Sequence, residues 1–61
     1  MATIVITKEK EFDWDISVFE HGKKVKTAWA CNEQQAYGKG DILADYYRDD
    51  NGQHAAVCVN K

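Results

Sequence analysis

Residues Phe12 to Cys31 constrain the fold most, because they read as a β-hairpin whose register the side chains themselves fix. Phe12, Trp14, Ile16 and Val18 alternate with Asp13, Asp15 and Ser17, the period of a strand with one buried face. Beyond His21-Gly22 the alternation resumes as Val25, Thr27, Trp29 and Cys31 against Lys24, Lys26, Ala28 and Ala30. With Glu20 opposite Lys23 across a two-residue turn, Val18 faces Val25, Ile16 faces Thr27, Trp14 faces Trp29 and Phe12 faces Cys31. A one-residue slip sets Val18 against Lys26 and Trp14 against Ala30, and the pattern rejects it.

The remaining elements follow from local chemistry. Thr3 to Thr7 is β-branched throughout and reads as a strand, with Ile4 and Ile6 on one side and Val5 on the other. Lys8 to Glu11 reads as a charged turn. Asn32 has the character of a helix N-cap, with Gln35 as its reciprocal partner. The helix is expected from Glu33 to about Arg48, its apolar face made by Ala36, Gly40, Leu43 and Tyr47 and flanked by Ile42 and Tyr46. Gly38 and Gly40 each cost about 1 kcal/mol against alanine in a helix interior. Gly40 lies on the apolar face, where it lets the helix sit close to the two tryptophans; Gly38 allows a kink or break near Tyr37 to Gly40.

Asp50-Asn51-Gly52 ends the helix, and His54 to Asn60 forms a last strand with Ala55, Val57 and Val59 on one face. The expectation is a single α+β domain over residues 1–61 in the order β-β-β-α-β. One helix packs on one face of a small, mostly antiparallel sheet. The expected core is Ile4, Ile6, Trp14, Ile16, Val18, Val25, Trp29, Leu43, Tyr47 and Val57.

Size narrows the functions open to such a chain. At 61 residues it is near the lower limit for folding without a staple, so it holds a thin core and little room for an enclosed pocket. No apolar run approaches the roughly 20 residues needed to cross a membrane. The first residues lack the pattern of a signal peptide. Cys31 and Cys58 then read as reduced thiols in a cytoplasmic protein rather than as a disulfide.

Chemistry-bearing motifs are sparse. Cys31, Cys58, His21 and His54 lack the close pairing of a zinc knuckle, so no metal is expected. A calcium-loop frame with Gly52 at the invariant glycine puts Tyr47 first and Cys58 last, where acids are required. Gly38-Lys39-Gly40 lies within the expected helix and lacks the strand-turn-helix setting of a phosphate loop. Ser17 points to the open face with Asp13 and Asp15, with no histidine placed beside it as a base. Neither an enzyme nor a cofactor is expected.

Two surfaces remain. The net charge of −2 is concentrated in residues 33–50, where five acids face only Lys39 and Arg48. Asp41, Asp45 and Asp49 recur at i, i+4 and i+8, an acidic stripe that costs a few tenths of a kcal/mol per like pair. Asp49 and Asp50 also meet an unfavourable helix dipole. With Tyr37 on the same face and Tyr46 nearby, the stripe suits a protein partner with a basic surface. The other surface is the sheet face away from the helix, where Phe19 stands among Lys23, Lys24 and Lys26. That group could stack a base and neutralise phosphates. Val5, Ala28, Ala30 and Cys58 leave the same face rather bare, which fits a homodimer by sheet-face or edge-strand contact.

The preferred function is therefore that of a non-enzymatic small intracellular protein that binds another protein. A modulator or inhibitor of a nucleic-acid-handling protein, of the kind mobile elements carry, fits that description. The alternative is a nucleic-acid-binding module using Phe19, Lys23, Lys24 and Lys26. Three strands and a helix over Phe12 to about Arg48, with a Gly22-Lys23-Lys24 hairpin, broadly resemble the small DNA-reading domains at the N-termini of tyrosine recombinases. This chain departs from that pattern in its acidity and its last strand, and no residue role carries across.

Overall fold

The computed structural model describes residues 2–61 as four strands and one helix: β1 (Ala2–Lys10), β2 (Asp13–Glu20), β3 (Lys23–Ala30), α1 (Glu33–Tyr46) and β4 (Ala56–Asn60). The strands form one sheet in the order β3-β2-β1-β4. β1, β2 and β3 are antiparallel neighbours, and β4 runs parallel to β1. A parallel neighbour needs a crossover, and α1 supplies it by carrying the chain back over one face. The architecture is the expected α+β order, with the last strand placed at the edge beside β1.

Alternation in β1 and β2 sets the buried face. Ile4 and Ile6 meet Val18 and Ile16 across the ladder, Ala2 lies opposite Glu20, and Trp14 continues the same layer opposite Lys8. Ile4, Ile6, Ile16 and Val18 are fully buried, each contributing about 1.5–3 kcal/mol relative to an exposed side chain. Trp14 is 2% exposed. β1 runs on through Lys8 to Lys10, with an irregularity between Lys8 and Lys10, so the turn is Glu11-Phe12 rather than the four charged residues. Phe12 sits in that turn, is exposed, and does not pair with Cys31.

Beyond its first rungs the hairpin takes the one-residue slip that the alternation pattern rejects. Glu20 pairs with Lys23 and Phe19 with Lys24, but Val18 then opposes Lys26, Ile16 opposes Ala28, and Trp14 opposes Ala30. The shift lies between Val18 and Phe19, where Val25 is an extra residue on β3. One inserted residue reverses every following side chain. Ala28 and Ala30 therefore face the helix, while Val25 and Trp29, expected in the core, are 49% and 56% exposed.

Packing explains the choice. α1 lies near enough to β3 for Lys39 Nζ to donate to the Trp29 carbonyl, and the β3 positions beneath it are held by the small Ala28 and Ala30. At the hairpin turn His21 and Gly22 both take positive φ, 53° and 78°, the backbone that matches strand twist in a tight two-residue turn.

The Asn32 side chain accepts from the Gln35 amide at 2.8 Å and caps α1 as expected. The helix is continuous through Gly38 and Gly40 and ends at Tyr46, two residues earlier than expected. Its buried residues are Ala36, Gly40 and Ala44, with Tyr37, Leu43 and Tyr47 packed at the margins. Gly40 meets Ile6 and Ile4, not the tryptophans.

Asp49 organises the following loop. Its carboxylate accepts from the Asn51 and Gln53 amides at 2.9 and 3.0 Å, and Gly52 turns the chain at φ 79°. The Ala55 amide donates to the Ala44 carbonyl at 3.0 Å and brings the chain onto β1. Val57 and Val59 oppose Ile4 and Ile6 on the helix side. α1 does not cover them, so Val57 is half-exposed rather than core.

Candidate protein-binding site

The two sheet edges are built differently. β3 carries Lys23, Lys24 and Lys26 and a bulge at Val25, the features that keep another strand from pairing with an edge. β4 carries no charge from Ala56 to Asn60, and every residue in it is exposed. Unpaired backbone groups along such an edge are a template for an added strand.

The acids of α1 stand over this edge. Asp41 and Asp45 border an open groove of about 190 Å³ shared with Ala44, His54 and Val57. Towards the start of β4 a wider depression of about 520 Å³ continues it past Tyr47 and Gln53. The groove exists because small residues seat α1 over β1 and β2, so its flank stops short of the outermost strand. Asp45 accepts from Arg48 Nε at 2.7 Å, an exposed pair that softens its charge. At the far end Lys61 Nζ lies 3.1 Å from Glu33 Oε2. The Glu33 carboxylate, with the Tyr37 hydroxyl, holds the Lys61 ammonium above its ordinary range. That pair ties the end of β4 to the start of α1.

The structure brings together only part of the expected site. Asp41 and Asp45 share the groove. Asp49 lines the wider depression with Asp41, its carboxylate engaged by loop amides. Tyr37 is half-buried, its ring edge-on to Trp14 at 6.2 Å. Tyr46 is exposed and stands against Tyr47 at 5.1 Å, five residues and so about 140° round the helix from Asp41. His54, Val57 and the β4 backbone join the site instead. The uncharged run Ala55 to Asn60 was visible in the sequence, but its place at an edge was not.

The basic group is also divided. Phe19 and Lys24 stay paired on the open face, with Nζ 5.9 Å from the ring centroid. The bulge turns Lys26 to the opposite face, across from Val18, and Lys23 pairs with Glu20 at the turn. Trp29 now lies on the open face, its indole N–H donating to Asp13 Oδ1 at 2.7 Å. Ser17, buried in the middle of that face, donates to Asp15 Oδ2 at 2.6 Å. Ala28 and Ala30, expected there, are on the helix side.

No protein-family model, curated protein or solved structure matches the chain. Among the described residues no helix is long and apolar enough to cross a membrane. Cys31 and Cys58 are both free thiols.

Proposed function

We propose that this chain is a non-catalytic protein-binding module that takes an extended, basic segment of another protein along the free edge of β4. The observation that carries the reading is the contrast between a lysine-guarded, bulged β3 edge and a bare β4 edge. Main-chain hydrogen bonds to β4 would supply affinity. Alternate side chains of the added strand would reach the groove, where Asp41 and Asp45 favour lysine or arginine and Val57 favours an apolar residue.

A partner held in this way has its own segment covered, so binding modulates or blocks it. Nucleic-acid-handling proteins have the basic surfaces this site selects. Nucleic acid itself is the less supported ligand, because Asp13 and Asp15 share the open face with Phe19 and Lys24.

Affinity capture from the native host lysate tests the reading, using the wild type, an Asp41→Asn/Asp45→Asn chain and a Val59→Lys chain. Proteins retained by the wild type should be lost by Val59→Lys, which places a charge on the edge, and reduced by the neutralised helix. If all three chains return the same proteins in the same amounts, neither β4 nor the acids form the site.

A further inference from the structure

The open face of the sheet is arranged in three cross-strand rows. The first is Thr7, Asp15 and Trp29; the middle is Val5, Ser17 and Thr27; the third is Thr3, Phe19 and Lys24. Cys58 extends the middle row onto β4. The outer rows are large and oppositely charged. Asp15, with Asp13 beside it, accompanies the 56% exposed Trp29, while Lys24 accompanies Phe19. The middle row is small and lies between them.

An isologous contact requires a surface that complements itself when turned by 180°. Here a two-fold axis across the strands, at the level of Ser17 and Thr27, lays the acidic Trp29 row on the basic Phe19 row. Both ends of the contact then set Lys24 against the Trp29 indole and Asp15 against Phe19, with Asp15 and Lys24 as diagonal neighbours across the interface. We propose that a second copy of this chain covers the open face in this arrangement, forming a two-sheet sandwich. The proposal uses none of the β4–α1 groove and stands or falls independently of it.

The size of the face sets the strength. Four strands at about 4.8 Å spacing and roughly eight residues at about 3.3 Å give on the order of 500 Å² per copy. That is below the ~800 Å² per partner of a standard stable interface, so the dimer should form in the micromolar range and dissociate on dilution. Phosphates would meet Asp13 and Asp15 on the same face, which disfavours nucleic acid as its occupant.

Sedimentation equilibrium of the full chain from low micromolar to millimolar concentration tests this, with circular dichroism confirming that each variant is folded. The wild type should move from 7.0 kDa towards twice that mass. Lys24→Glu and Asp15→Lys should each weaken the dimer about tenfold, since symmetry counts each change twice. The chain carrying both reversals should recover the wild-type association. Trp29→Ala should stay folded and monomeric. In a Cys31→Ser background, a short bismaleimide should join two chains through Cys58, which the axis places opposite its own copy.

A single 7.0 kDa species at every concentration overturns the proposal. So does a dimer indifferent to Lys24, Asp15 and Trp29, which would point to edge pairing through β4. A monomer that retards single-stranded nucleic acid in a Lys24-dependent manner would assign the face to that ligand instead.

Discussion

A Cβ placed on Gly40 would lie 2.6 Å from Cδ1 of Ile6, closer than carbon atoms pack, so this pair sets how near α1 rides to β1. Ile6 is buried and held by Ile16 across the ladder, and its side chain has little room to turn away. The same close seating suits the alanines at 28 and 30 on the inner side of β3 and leaves β4 only partly covered by the helix.

Gly40→Ala should therefore destabilise the fold by about 1–3 kcal/mol through overpacking, more than the ~1 kcal/mol that alanine gains in helix propensity. Gly38 has nothing within 4 Å of its position, so Gly38→Ala should stabilise by up to about 1 kcal/mol. Urea unfolding of the two variants checks both signs. Equal stability of Gly40→Ala and the wild type would mean that α1 sits higher than described.

The two tryptophans should behave differently. Trp14→Ala empties a buried site and should cost about 3–5 kcal/mol, enough to unfold a domain this small. Trp29 is on the open face, and its replacement by alanine should cost at most about 1 kcal/mol. Thermal denaturation followed by far-ultraviolet circular dichroism separates them. An unfolded Trp29→Ala chain would restore the in-register hairpin with both indoles inside.

That contrast shows where the sequence could and could not be read. Trp14, Ile16 and Val18 declare their face because aspartate and serine alternate with them. In β3 the choice lies between Lys-Lys-Ala-Ala and Val-Thr-Trp-Cys, and alanine is small enough to belong to either face. A single bulge at Val25 then decides the matter, and bulges leave no mark in an alternation pattern. The Asn32 cap, the place of Gly40 on the buried helix face and the faces of β4 are local properties and were legible, whereas the contact Gly40 makes, with Ile6 and Ile4 rather than the tryptophans, was not. The exposure of β4 depends on which strand it joins and how far α1 reaches, which are non-local. The acidic residues of the site were therefore visible while its strand edge was not.

The Lys61–Glu33 pair predicts an alkaline effect. Folding raises the Lys61 pKa above its ordinary 10.5, through Glu33 first and Tyr37 second. The contribution is thus present below that value and is lost as the pH rises through the folded-state pKa. Urea midpoints of the wild type and Lys61→Met should differ slightly at neutral pH and converge once the pH has risen through the raised Lys61 pKa. Added salt should shrink the neutral-pH difference, because the pair is exposed. A difference that persists in strong alkali would assign it to something other than this charge.

Amide hydrogen exchange on the full chain, with and without a short peptide alternating lysine and valine, tests the binding account most directly. The account predicts slowed exchange at Ala56 to Asn60 on adding the peptide, and no slowing with a glutamate–valine peptide. The Asp41→Asn/Asp45→Asn chain should show a reduced effect with the lysine peptide. Protection confined to Lys23–Ala30, or no protection of β4 at saturating peptide, would contradict it.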